Sequence, residues 1–174
     1  PKFFFADDLD KYVSAAFERA IVRLSKVGVK FSEISLDCLS ECHRVNTGGG
    51  IYAEAWEVHK QQFYKSAEQY DPLVATRLEK LKEVPATNYL KAMKARKELI
   101  YEANKTTHEF DAIILPTTPV IAPPIAETYN NEKLYTETNL RMLKNTFCFN
   151  FLDRCALTIP MHDPGTPPSG LMVV

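Results

Sequence analysis

Apolar residues recur along the first quarter of the chain as Val13, Phe17, Ala20, Ile21, Leu24 and Val27, a spacing that keeps them on one side of an amphipathic helix. Asp7, Asp8 and Asp10 supply acidic N-cap candidates before it, and Gly28 stands where a left-handed C-cap is wanted. The Phe3-Phe4-Phe5 run predicts a short buried strand upstream. Downstream, Val29, Phe31, Ile34 and Leu36 recur with a period close to two, which predicts another strand. A strand, helix, strand unit of about 35 residues implies parallel pairing through a right-handed crossover. The expected fold class is therefore α/β, a mixed β-sheet flanked by helices.

Farther along, residues 51–66 read as a helix carrying Ala53, Ala55, Trp56, His59 and Phe63 at helical spacing. Asp71-Pro72 marks the next helix start, proline being suited to the first helical position. The longest helix is expected from Thr87 to about His108, with Tyr89, Ala92, Met93, Arg96, Leu99, Ile100 and Ala103 on one face. Residues 110–119, F-D-A-I-I-L-P-T-T-P, read as a buried strand stopped by proline, followed by a Pro-rich bend to Pro124 and a polar loop around Asn130-Asn131. A last helix over about Thr138–Leu152 leads to a strand at 156–160. A turn-rich loop from His162 to Pro168 precedes a terminal strand, 171–174.

The chain has 174 residues, 45% hydrophobic and 25% charged, which predicts a single folded region over 1–174 with a real core. A formal net charge of -1, with both signs mixed, offers no positive face for nucleic acid and no basic amphipathic segment for a membrane. No apolar run is long enough to span a bilayer, and the expected compartment is cytoplasmic. Both ends, Pro1-Lys2-Phe3 and Leu171-Met172-Val173-Val174, read as cuts through a longer polypeptide. The four cysteines, Cys38, Cys42, Cys148 and Cys155, are expected as reduced thiols. Cys38-x-x-x-Cys42-His43 lacks a second ligand pair at zinc spacing, so no metal is expected.

The chemistry-bearing motifs are few. Gly48-Gly49-Gly50 lacks the lysine and hydroxyl of a phosphate loop, and H-E-x-x-H, C-x-x-C and G-x-S-x-G are absent. His43, His59, His108 and His162 stand far apart in sequence, leaving open a Cys-His dyad assembled only in space. Arg96 is the one charged member of a burying stripe. It either finds a carboxylate, carbonyls or a polar cavity, or snorkels to water. Thr117 and Thr118, held between prolines, either cap the strand end or aim their hydroxyls into a cleft.

Several phrases together resemble the second half of the amidase signature family. They are P-K-F-F-F-A-D-D-L-D-K-Y-V-S-A-A-F-E-R-A, Y-D-P-L-V-A-T-R-L, N-Y-L-K-A-M-K-A-R, F-D-A-I-I-L-P-T-T-P, F-N-F-L-D-R-C-A-L-T-I-P and P-S-G-L-M-V-V, in order through nearly the whole chain. The resemblance implies an amidohydrolase that uses a serine nucleophile, a bridging serine and a lysine, with no metal or other cofactor. Because the Gly-Ser-rich loop and lysine of that machinery are not in these residues, it implies that the catalytic half lies upstream and that this chain alone is silent. It further implies a small-molecule amide as partner, admits a homodimer, and points to Arg96, Thr117, Thr118 and Asp153 as substrate-binding residues. Asp153 and Cys155 stand where many relatives carry Gly and Pro. Arg96 matches the arginine by which amidotransferase A subunits hold glutamine, but Leu143 occupies the position of their acidic residue, which favours a stand-alone amidase.

Overall fold

Asp10 opens the first helix: its carboxylate accepts the Tyr12 amide at 2.7 Å, and α1 runs Lys11–Lys26. The computed structural model describes residues 9–46, 49–129 and 131–174, so the strand expected at 3–5, the caps expected at Asp7 and Asp8, Thr47-Gly48 and Asn130 lie outside the described residues. The α1 stripe turns inward over Val13, Ala16 and Ala20, with Phe17 and Leu24 packed beside them. Val27 leaves the stripe because it is the C-cap, and it is 78% exposed. Gly28 follows at φ +97°; its amide reaches Ser25 O and the Val29 amide reaches Leu24 O, both at 3.1 Å. These paired bonds close a helix through a left-handed residue.

The strand expected over Val29–Leu36 does not form. Only Ser35 makes an isolated bridge, and the segment descends as coil into α2, Cys38–Val45. The physical reason is that its near-alternation serves two environments: Val29 and Phe31 stay exposed, whereas Ile34 and Leu36 pack into the core. A period of two makes a strand only where a neighbour supplies the ladder. The parallel strand–helix–strand unit is accordingly not seen among the described residues.

The sheet of the described residues has three strands, β1 (Ile114–Pro116), β2 (Leu157–Pro160) and β3 (Gly170–Val173), in the order β1-β3-β2 with both pairings antiparallel. Ile113 and Val174 exchange backbone hydrogen bonds at 2.9 Å, and Thr117 N donates to Gly170 O at 2.8 Å. The alternation between those bonds turns Pro116 away from β3, so its missing N–H costs this ladder nothing. Both faces of the sheet are used. Leu115 and Met172 join Leu39, Cys148 and Phe151 in one buried cluster, while Ile114, Leu171 and Val173 pack with α1 and Met161 in another. Helices thus flank a small sheet, as the expected fold class requires.

The remaining helices form the larger layer: α3 (Ala53–Ser66), α4 (Pro72–Leu81), α5 (Ala86–Thr107), α6 (Ile125–Tyr129) and α7 (Glu132–Phe151). Asp71 caps α4 by accepting from Leu73 N at 2.9 Å and Val74 N at 3.3 Å, with Pro72 at the first helical position. α7 begins six residues before the expected Thr138, because the Asn131 side chain caps it by accepting Leu134 N at 3.0 Å. A 3-10 turn at Gly50–Tyr52 leads into α3 and presses on α5. A Cβ at Gly50 would stand 2.9 Å from Ala92 Cβ and 3.0 Å from Asn88 O, so only glycine permits this approach.

Candidate functional site

The left-handed turn that ends α7 brings two of the expected site residues together. Asp153 has φ +60°; its amide bonds Asn150 O at 3.2 Å, and Arg154 N bonds Phe149 O at 2.9 Å. That closure is usually made on glycine. It leaves the Phe151 carbonyl for Arg96, whose Nε donates to it at 2.7 Å while Nη2 lies 3.2 Å from Asp153 Oδ1. The Arg96 side chain is 23% exposed and that of Asp153 77%, so the arginine is the inner member of the pair.

Thr117 and Thr118 form a separate group at the end of β1. Thr117 Oγ1 and Thr158 Oγ1 are 3.0 Å apart, and they straddle Gly170, where a Cβ would stand 2.3 Å from Thr158 Cγ2. The Thr118 hydroxyl donates to Val120 O at 2.9 Å, a local tie across Pro119. Underneath, fully buried Asn145 donates from Nδ2 to Pro116 O at 2.7 Å, which fixes the carbonyl just before the threonines. The Oδ1 of Asn145 has no hydrogen-bond partner among the described residues. Each hydroxyl therefore already has a partner within the chain.

A cavity of about 590 Å³ lies elsewhere, between α3, α4 and α7. Leu73, Leu78, Leu140, Leu143 and Phe147 give it apolar walls, and Tyr52 and His43 line it as well. Its charged members are Arg77 and Lys80 on α4 and Glu132 at the start of α7. Burial pushes the Tyr52 phenol up, and the Arg77 charge pulls it back down. Arg96, Thr117, Thr118 and Asp153 do not line this cavity. Sequence reading missed Arg77, although a signal existed: its helical neighbours at three and four residues are Leu73, Val74, Lys80 and Leu81, none of them acidic.

His43 and Cys148 meet beside this cavity, with Nε2 and Sγ 3.3 Å apart. This is the spatial dyad that the sequence leaves open, but its protons are placed for structure. Nε2 also lies 3.0 Å from Lys144 O, and since a carbonyl only accepts, that nitrogen carries its hydrogen and is not a base toward the thiol. Leu39 O and Lys144 O lie 3.3 and 3.4 Å from the same sulfur. Neighbouring Cys42 and burial push the Cys148 thiol far up, while burial pulls His43 below the usual imidazole range. A neutral thiol beside a neutral imidazole is the reverse of an activated pair. Burial pushes Cys38 up to about 11, with Cys42 adding to it. No group of three or more His, Cys, Asp or Glu able to hold a metal ion occurs among the described residues.

Comparison with known proteins places these features in a family. The amidase profile matches residues 1–174. The 2-amino-5-chloromuconic acid deaminase of Comamonas testosteroni is 28% identical over 172 residues, which is 98% of this chain and 37% of that protein. A crystal structure of an amidase superposes on 98% of this chain and 39% of its own, with a TM-score of 0.78 and 24% identity. The K. lactis urea amidolyase superposes on 99% of this chain and 10% of its own, with a TM-score of 0.83 and 18% identity. The chain thus spans well under half the length of each.

Proposed function

Because the chain belongs to the amidase family, we propose that it forms the C-terminal part of an enzyme that hydrolyses the C–N bond of a small carboxamide to acid and ammonia. The observation that carries this reading is the profile match over all of residues 1–174, in a chain spanning 37% of the curated relative's length. In this proposal the serine nucleophile, bridging serine and lysine lie upstream, and residues 1–174 are silent by themselves as one region of the amidase domain. Gly50 supports that division: it is followed by Ile51 rather than serine and is filled against α5, so it is a packing residue and not part of an oxyanion loop.

Arg96 with Asp153, and Thr117 with Thr118, are proposed to border the substrate. Arg96 Nε is held by Phe151 O and the two threonine hydroxyls by Thr158 and Val120, so these groups would shape the border, while the outer face of the guanidinium and the exposed Asp153 carboxylate face outward from it. The location is proposed as cytoplasmic, with a homodimer as the assembly to test and no cofactor. A glutamine-dependent amidotransferase A subunit is the second reading. Leu143, on the cavity wall where the family resemblance calls for an acidic residue, favours the stand-alone amidase. A non-catalytic scaffold is the third, and a Ser-Ser-Lys arrangement encoded upstream would eliminate it.

Ammonia release from a panel of carboxamides by the intact polypeptide tests the leading reading. Since the Comamonas testosteroni relative is named for an unsaturated acid, the panel should include acid-bearing amides. Hydrolysis of glutamine only with a copurifying partner would move the assignment to the amidotransferase.

A further inference from the structure

The cavity between α3, α4 and α7 combines a largely apolar lining with cations that pair with no carboxylate among the described residues. Arg77 and Lys80 both line it, and no carboxylate among the described residues lies within ion-pair distance of either. The nearest acid on the same helix, Glu79, is taken by Lys82 at 3.1 Å. Among the described residues Glu132 is the one acidic member of the lining, leaving an excess of one positive charge there if His43 is neutral. Arg77 and Lys80 are both exposed, so they stand where the cavity meets solvent, and against the upward push of burial the Arg77 charge lowers the pKa of the Tyr52 hydroxyl on the same lining. Leu73, Leu140, Leu143 and Phe147 have no polar atom to offer a ligand.

We infer that this cavity binds an organic carboxylate with an apolar body, the acid group read by the Arg77 guanidinium with Lys80 beside it and the body lying against Leu140, Leu143 and Phe147. Arginine suits the task because its planar fork matches a carboxylate through two parallel hydrogen bonds. An apolar wall alone would accept neutral and acidic ligands alike, so the cations set the preference. Glu132 sharpens it by disfavouring a second anionic group at the opposite wall. The inference rests on the amidase reading in one respect: in the enzyme, the ligand would be an acid-bearing amide or its acid product.

The test is direct binding of cinnamate and of cinnamyl alcohol, which share one apolar body, to the intact polypeptide by titration calorimetry. Cinnamate should bind about tenfold more tightly than the alcohol, the scale of one charge-assisted contact. Arg77→Gln should abolish the difference, Arg77→Lys should restore part of it, and Lys94→Gln, outside the cavity, should leave it intact. The rescue by lysine separates lost charge from a misfolded helix. Equal binding of acid and alcohol, an unchanged preference in Arg77→Gln, or no cinnamate binding at millimolar concentration would overturn the inference. The amide panel is read separately: silence there with cinnamate binding intact would defeat the amidase reading and spare the carboxylate site.

Discussion

Replacing Arg96 by methionine separates a structural anchor from a substrate contact, because Nε is committed to the Phe151 carbonyl and Nη2 lies beside Asp153. The variant keeps the apolar stem against α5's neighbours but removes the donor that satisfies Phe151 O at 2.7 Å. That carbonyl lies in the last turn of α7, where Asp153 N and Arg154 N serve Asn150 and Phe149 instead. A hydrogen bond from a charged donor to a part-buried carbonyl contributes about 1.5–3 kcal/mol. The ion pair adds less, roughly 0–1 kcal/mol, because Asp153 is 77% exposed. Arg96→Met should thus cost about 2–3 kcal/mol, and Asp153→Asn, which keeps a side chain tolerant of left-handed backbone, under about 1 kcal/mol. In thermal unfolding of the intact polypeptide, whose greater length dilutes the effect to about 1 °C per kcal/mol, the first should lower Tm by about 2–3 °C and the second by no more than about 1 °C. Equal losses for the two variants would refute the anchor assignment. So would an Arg96→Met protein of parental Tm whose KM rises more than about tenfold, which would make Arg96 a substrate ligand.

Three further outcomes follow from the same geometry. Gly50→Ala should destabilise by about 1–3 kcal/mol in urea unfolding, since Ala92 Cβ and Asn88 O leave no room for its methyl, and Ala92→Gly in the same chain should recover part of the loss. Under native conditions at neutral pH, iodoacetamide should label exposed Cys155 rapidly and spare buried Cys38, Cys42 and Cys148, as read by peptide mass spectrometry; prompt labelling of Cys148 would contradict the inert pairing with His43. The guanidinium of Arg23, with Arg19 beside it, holds the Asp163 carboxyl below the usual carboxylate range and ties the 162–168 loop to α1. A depressed carboxyl stabilises fully above its unfolded value and loses that contribution as pH falls through the folded one. Tm should therefore drop more steeply below about pH 4 in the parent than in Asp163→Asn, and identical acid limbs would remove the tether from the explanation.

The helices were legible because each carries its own instructions. Asp10 and Asp71 cap, Pro72 starts, Gly28 stops, and the α5 stripe buries Ala92 and Ala103 as its spacing requires. The failures were where a neighbour decides. Residues 29–36 alternate without a partner strand among the described residues, and α7 starts early because a single side chain, Asn131, captures an amide. The pairing of Arg96 with Asp153 joins positions 57 apart in sequence and depends on a left-handed aspartate that no pattern announces. The cavity draws on α3, α4 and α7, so its membership is set by packing rather than spacing, and only the lack of an acid three or four residues from Arg77 hinted at it. Likewise, Cys148 and His43 meet only once α2 packs on α7.

Ammonia release by the intact polypeptide tests the amidase assignment most directly. With a panel of acid-bearing and neutral carboxamides, ammonia and free acid should appear in equal amounts from at least one member, and residues 1–174 alone should release none. A folded, intact polypeptide that liberates no ammonia from any amide on the panel would contradict the assignment.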